Sequence, residues 1–188
     1  MRKYIEEHAK YVEITGFRNV KIDDAEAWVK TAQTDKHQGA AVQFFDADLV
    51  ATWEHLYFAV VNALTAFATH RNISRNLAME TMLYASAQRQ IRKAIRFIGV
   101  KCGVANVAVA IIGEKPAQVQ AALSAVQKRF GKEPDESVLE MSGSKVKRVR
   151  GAFRISDEEV KALMEKNKLE QALISLVIER VALLSTQL

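Results

Sequence analysis

The stretch NISRNLAMETMLYASAQRQIRKAIRFIGVK, residues 72–101, reads as two short helices followed by the start of a strand. The rest of the chain is arranged around it. Ser74 is placed to cap the first helix, its hydroxyl accepting an otherwise orphaned backbone N–H. Leu77, Glu80, Leu83 and Tyr84 then recur at helical spacing, and Ser86 stands where a second cap belongs. Beyond it the pattern has two faces. Ile91, Ala94, Ile95 and Ile98 fall at i, i+3, i+4 and i+7, and so do Arg89, Arg92, Lys93 and Arg96. At about 100° per residue the two stripes lie nearly opposite each other. One face wants a core; the other wants anions or water.

A solvated charged face normally mixes both signs, so that i,i+4 pairs form. Between Arg71 and Lys101, seven cations meet one acid, Glu80. The stripe is therefore either a solvated face of unusual composition or a polyanion site, since clustered charge of one sign is the footprint that phosphates require. A second run, residues 141–154, adds Lys145, Lys147, Arg148, Arg150 and Arg154 without an acid. The two segments carry +6 and +5 against +5 for the whole chain, which leaves the remainder at −6. Basic segments on an acidic body point to localised binding rather than general stickiness.

With 188 residues, 49% of them hydrophobic, the chain suits one domain with a substantial core. We expect residues 1–140 to form an α/β core, 141–154 a basic connector and 155–188 the C-terminal helices. Cys102 is the only cysteine, so no internal disulfide forms, as in a reducing compartment. MRKYIEEHAK lacks the apolar stretch of a signal peptide, and no apolar run approaches the roughly 20 residues of a membrane span. The expected location is cytoplasmic, away from any membrane.

Residues 10–17 (KYVEITGF) alternate as a half-buried strand. Asp23 and Asp24 open a helix over 25–33 with Trp28 and Val29 inward, acids suiting the positive end of the helix dipole. Residues 39–45 (GAAVQFF) read as a second strand. Asp48 caps a long helix in which Trp53, Leu56, Tyr57, Val60, Val61, Leu64 and Phe67 recur at three and four. Residues 104–112 (VANVAVAII) are apolar on both alternations apart from Asn106, which marks a central strand covered on both faces. Pro116 suits a first helical position and Gly131 a C-cap, bounding a helix with Val119, Ala122, Leu123, Val126 and Phe130 inward. Residues 137–141 read as a short edge strand. Ser156 with Glu159 makes a capping box for a helix reaching Met164, and a last helix spans 168–184.

No enzyme motif is present. There is no G-x-G-x-x-G and no G-x-x-x-x-G-K-[ST], and His8, His37, His55 and His70 have no metal-ligand spacing. His55 reads as a satisfied or surface histidine on the long helix. Asp46 and Asp48 read as turn and cap residues. The chain is taken as a non-enzyme, with no catalytic residue, metal or cofactor. A small enzyme whose site is assembled from scattered residues stands as an alternative.

The last helix is apolar over too wide an arc. Leu173, Leu176, Val177 and Leu184 form one face, while Ile174, Ile178 and Val181 lie about 100° further round. A surface helix needs a stripe of roughly 100°, and this arc is about twice that. Either the helix is buried on two sides within one core, or it offers its second stripe to a partner protein. Arg180, inside the arc beside Glu179, signals a specific ion pair or an interface residue.

At residues 72–101, with YASAQRQI at 84–91 and LVIERVALL at 176–184 as its specific parts, the sequence resembles the small regulatory subunit of the KEOPS (EKC) complex in its archaeal form, the family of the PRPK-binding protein. QFFDADLVATWEHLYFAVVNAL, VANVAVAIIGEKP and FRISDEEVKALM extend the resemblance from about residue 40 onward. The resemblance implies a mixed α+β fold, with a small, largely antiparallel sheet of three to four strands packed by helices. It implies a non-catalytic subunit of the machinery that makes threonylcarbamoyladenosine in tRNA. Its partners would be the RIO-like kinase/ATPase subunit, tRNA through the 3′ CCA end, and indirectly the other KEOPS subunits. Arg71, Arg89, Arg92, Lys93 and Arg96 are then candidates for tRNA phosphates, and Asn72, Ser74, Arg75, Gln88 and Gln90 for the RNA end. Ile174, Ile178 and Val181, with Arg180 at their edge, are candidates for the kinase interface. A stand-alone RNA-binding protein, with the last helix simply core, is the remaining alternative.

Overall fold

The run at 104–112 lies at the centre of the fold. The computed structural model describes residues 1–25, 27, 39–164 and 168–186. Within them β1 (Arg2–Ile5), β2 (Lys10–Ile22), β3 (Ala41–Asp46) and β4 (Gly103–Gly113) form one open sheet of order β1-β2-β4-β3, every pair antiparallel. β4 is paired on both edges and covered on both faces, and the covering explains why its sequence is apolar on both alternations. Ala108, Ala110 and Ile112 face one core, and Val107, Val109 and Ile111 face the other.

The first core lies under α1 (Trp53–Ala68), α2 (Leu77–Ala85) and α3 (Ile91–Ile98). The second lies under α4 (Pro116–Phe130), which presents Val119, Ala122, Leu123 and Val126. Pro116 sits at its first turn, and Gly131 closes it at φ 60, the left-handed conformation that glycine adopts freely. A third cluster joins α5 (Gly143–Ala152), α6 (Asp157–Leu163) and α7 (Leu169–Leu183) through Val149, Phe153, Val160, Leu173, Leu176 and Val177. The expected α+β class and antiparallel sheet are what the chain forms.

β2 is longer than its alternation indicates. Phe17 pairs with Val107 and Val20 with Ala105, so β2 carries one extra residue there, with Asn19 at φ 52. The bulge reverses side-chain parity. Val12 and Ile14 join the first core, yet Val20 and Ile22 join Phe17 in the second.

Several local expectations need correction. The N-cap of α2 is Asn76, whose side chain accepts the Met79 N–H; Ser74 instead accepts the Asn76 N–H. Ser86 ends α2 rather than starting α3, and its hydroxyl donates to the Leu83 carbonyl. Asp48 lies in a 3-10 turn (Ala47–Leu49) capped by Asp46, and Thr52 occupies the N-cap of α1 without a side-chain cap bond. Residues 137–141 form no strand; Glu136–Leu139 is a 3-10 turn packed on β2, where a Cβ on Gly16 would stand 2.1 Å from a Val138 methyl. The connector expected at 141–154 contains α5. The capping box of Ser156 and Glu159 is present on α6. Ala25 and Ala27 are helical, with the Asp24 carboxylate accepting the Ala27 N–H, but Trp28 and Val29 lie outside the described residues.

His55 binds the helical layer together. Its Nδ1 accepts the Ala51 N–H at 3.1 Å, so the proton resides on Nε2, which donates to the Ala85 carbonyl at 2.7 Å. The ring therefore stands in for a cap at the start of α1 while holding the end of α2. Burial pushes its pKa down from 6.5 to about 4. Because the folded value lies below the unfolded one, the contribution is complete above pH 6.5 and is lost as pH falls through about 4. The loss amounts to roughly 3 kcal/mol at about 1.4 kcal/mol per pH unit. Ring chemical shifts measured against pH should show one histidine titrating near 4; a midpoint near 6.5 for His55 would contradict this environment.

Candidate nucleic-acid and partner surfaces

α3 is anchored by Ala94 and Ile98, both fully buried, and by Phe97, which stacks edge-on against Phe153 at 5.1 Å. Phe153 in turn meets the His55 ring at 5.6 Å. These contacts fix the rotation of α3, and the rotation turns Arg92, Lys93 and Arg96 to solvent beside Arg89 in the preceding turn. Ile91, expected inward, is 40% exposed, because it starts the helix ahead of the core.

Between α2, α3, the end of α5 and α7 lies a groove of about 690 Å³. Gln88, Lys93, Arg96, Arg154 and Arg180 line it beside Phe97 and Phe153, and among the described residues no acidic one is part of the lining. Among the described residues no carboxylate lies within ion-pair distance of Lys93, Arg96 or Arg154. Low-dielectric walls next to unpaired cations concentrate positive potential. A second groove of about 420 Å³ runs past the end of α7, lined by Arg71, Arg89 and Tyr84 together with Leu184, Ser185 and Thr186. Burial, and then the nearby Glu80 carboxylate, raise the Tyr84 pKa, so its phenol stays protonated. Arg75, Gln90 and Arg92 are exposed but line neither groove.

Glu80, the one acid of this region, does not neutralise the stripe. It is fully buried, and its carboxylate accepts the Ile73 and Ser74 backbone N–H groups at 3.1 and 2.6 Å. It holds the loop that carries Arg71 and Arg75. Ser74 is 6% exposed within this arrangement, so it does not present a side chain to RNA as expected; Asn72 is half-buried and donates to the Ser74 carbonyl. The sequence reading missed Arg154, Tyr84, Phe97 and Phe153. Arg154 was visible as part of the second basic run, whereas the aromatics carry no signal that separates them from core.

Most of that second run is spent inside the fold. Lys145 is buried and donates to the Val138 carbonyl at 2.9 Å; burial lowers its pKa to about 8 despite Asp48, Asp46 and Glu140 nearby. Arg148 pairs with Asp48, and Arg150 bonds Asp157 and the Ile155 carbonyl. These bonds tie α5 to the 3-10 turns beside the sheet and to α6.

α7 is buried on two sides. Leu173, Leu176 and Val177 enter the third cluster, while Val181 and Leu184 enter the first. Val181 has no exposed surface, so it is core and not part of an open face: it packs in the cluster to which α1 contributes. Arg180 also moves. Its guanidinium donates to the Phe153 carbonyl and pairs with Glu159 at 2.6 Å, in the cationic groove and away from Ile174 and Ile178. Ile174 and Ile178 remain half-buried at the edge of the helix. On α1, Phe58 is 41% exposed, and Glu54, one turn before it, shares a cleft with Ile174.

Among the described residues no group of three or more His, Cys, Asp or Glu could hold a metal ion, and no helix is long and apolar enough to cross a membrane. Residues 17–185 match the family model described as kinase binding protein CGI-121. The match starts well before residue 40, so it takes in the last six residues of β2, Phe17–Ile22, as well as the part that carries the resemblance. The regulatory protein Cgi121 of Methanocaldococcus jannaschii is 34% identical over 117 residues, which cover 62% of this chain and 72% of that protein. With nine-tenths of its length inside the family model, the chain belongs to the CGI-121 family of kinase-binding proteins.

Proposed function

We propose that this protein is a non-catalytic regulatory subunit of the KEOPS tRNA threonylcarbamoyladenosine complex, binding its RIO-like kinase/ATPase subunit and tRNA. The observation that carries this reading is the pair of unlike surfaces borne by α7. One side of the helix contributes Arg180 to a groove whose Lys93, Arg96 and Arg154 have no carboxylate within ion-pair distance among the described residues. The other leaves Ile174 and Ile178 half-buried at its edge. A phosphate backbone suits the first and an apolar protein face the second. Family membership supports a kinase as that protein, and the relative from Methanocaldococcus jannaschii is likewise a regulatory protein.

On this reading the 3′ CCA end of tRNA enters the groove. Gln88 reaches base edges, the Phe97 and Phe153 side offers apolar contact, and Lys93, Arg96 and Arg154 meet phosphates. Single-stranded bases are held by stacking and edge bonds beside basic groups, at about 1–3 kcal/mol per stacked base. Purified protein should therefore bind intact tRNA about tenfold or more tightly than the same tRNA trimmed of its CCA end. Equal affinity in a filter-binding titration would remove the 3′ end from the reading. Co-expression with the RIO-like kinase of the same organism tests the other half, the expected result being a complex that survives gel filtration.

A further inference from the structure

A cleft of about 530 Å³ lies where the start of α1, the segment after the 3-10 turn at Glu136–Leu139, and the first turns of α7 meet. Its floor is apolar, with Trp53, Leu139, Met141 and Ile174. Its rim is acidic: Glu54, Glu136, Glu140 and Glu170 line it, and among the described residues no Lys or Arg is part of the lining. Glu136 holds the Met1 ammonium, but among the described residues Glu54, Glu140 and Glu170 have no ion-pair partner. At the wall, the Thr52 hydroxyl is buried without a hydrogen-bond partner. The cleft continues the apolar strip of α7 through Ile174, the residue the two share.

We infer that this cleft receives an arginine- or lysine-bearing segment of the kinase partner. The aliphatic stem of such a side chain would lie along Trp53, Met141 and Ile174, and its charged head among Glu54, Glu140 and Glu170. Long basic side chains combine these two demands, burying methylenes while keeping the cation at a polar rim. Trp53 already faces one cation: the Lys3 ammonium lies 5.9 Å from its ring centroid. Nucleic acid does not fit here, because unpaired carboxylates repel phosphates. The cationic groove and this acidic cleft are lined by different residues. The inference rests on the kinase reading above and adds the sign of the partner's charge at this end of the interface.

The test is a calorimetric titration of the purified RIO-like kinase of the same organism into wild-type protein, Glu54→Gln/Glu140→Gln/Glu170→Gln and Ile178→Glu, each at low and high salt. The triple variant should bind about tenfold or more weakly at low salt and lose most of the salt dependence seen for wild type, since opposite charges at a rim act through screened attraction. Its melting temperature should stay within a few degrees of wild type, as among the described residues none of the three acids is ion-paired and Glu140 acts on Lys145 only beyond ion-pair distance. A wild-type protein that does not bind the kinase overturns both readings. If wild type binds, Ile178→Glu does not, and the triple variant titrates like wild type, the kinase interface stands and the cleft inference falls. Loss of tRNA binding by the triple variant would also overturn it, by giving the cleft to RNA.

Discussion

Ile178→Glu is expected to lower kinase affinity by two orders of magnitude or more while moving the melting temperature of the isolated chain by only a few degrees. Ile178 is half-buried at the edge of α7. Full burial of an isoleucine side chain is worth roughly 1.5–3 kcal/mol, and Ile178 has part of that still to gain from a partner. A carboxylate there loses this gain and is desolvated in the complex at further cost. At about 1.4 kcal/mol per tenfold, a hundredfold loss needs only the sum of these two. In the free chain the same carboxylate can turn to water, so the fold loses about 1 kcal/mol or less. Val181→Glu is the contrasting case. It places an unpaired charge where no surface is exposed, and the chain should lose several kcal/mol and with it most of its folded population. Melts and binding titrations on the two variants separate the edge of the helix from its core. An Ile178→Glu protein that unfolds alone, or one that folds and still binds at wild-type strength, refutes the interface.

The difference between Ile178 and Val181 could not be read from a helical wheel. Both stripes of α7 have the composition of a core, and the wheel says only that the apolar arc is too wide for one contact. Which part is covered depends on α1, more than a hundred residues earlier, packing over the Val181 side. Elsewhere the pattern sufficed. The double alternation of β4 could belong only to a strand buried on both faces, and Pro116 and Gly131 bound α4 by their own backbone chemistry. β2 was legible up to its bulge. A single inserted residue changes the parity of everything after it, and a period-two reading has no means of detecting the insertion.

The caps failed for a different reason. Ser74 and Asn76, or Asp46 and Asp48, are pairs of equally good candidates two residues apart, and remote contacts choose between them. The Ser74 N–H is taken by Glu80, which fixes the loop so that Asn76 starts α2. The two basic segments show the same limit in electrostatics. Both looked alike in composition. The partner of Arg148 is Asp48, a hundred positions away, and that distance conceals the pairing from any local count of charge. On α3 the single-sign stripe was a sound signal, because its aspect toward solvent depends only on Ala94 and Ile98 being buried. Arg154 and Arg180 come to the same groove from other elements, through φ 52 at Arg154 and through the carbonyl of Phe153.

That convergence defines a second large effect. Lys93→Ala/Arg96→Ala should lower tRNA affinity about tenfold or more near 0.1 M salt and reduce the magnitude of the slope of log affinity against log salt by roughly 1.4–1.8, since each lost phosphate contact is worth about 0.7 on a single strand and 0.9 on a duplex. Arg154→Ala added to the pair should take the slope down by one further step, because among the described residues its side chain has no ion pair to keep it from RNA. Arg180 is a poor probe by comparison: removing it also breaks the bonds to Glu159 and Phe153, so lost stability and lost contact would be confounded. Lys147 is the matched control, an exposed cation of α5 that lies outside both cationic grooves beside α7. Lys147→Ala should change the protein's net charge by the same single unit as Arg154→Ala and leave the slope where it was. Net charge acting at a distance predicts instead that Lys147→Ala and Arg154→Ala behave alike. Equal slopes for those two variants, in folded proteins, would mean that the groove is not the site at which the RNA backbone is held.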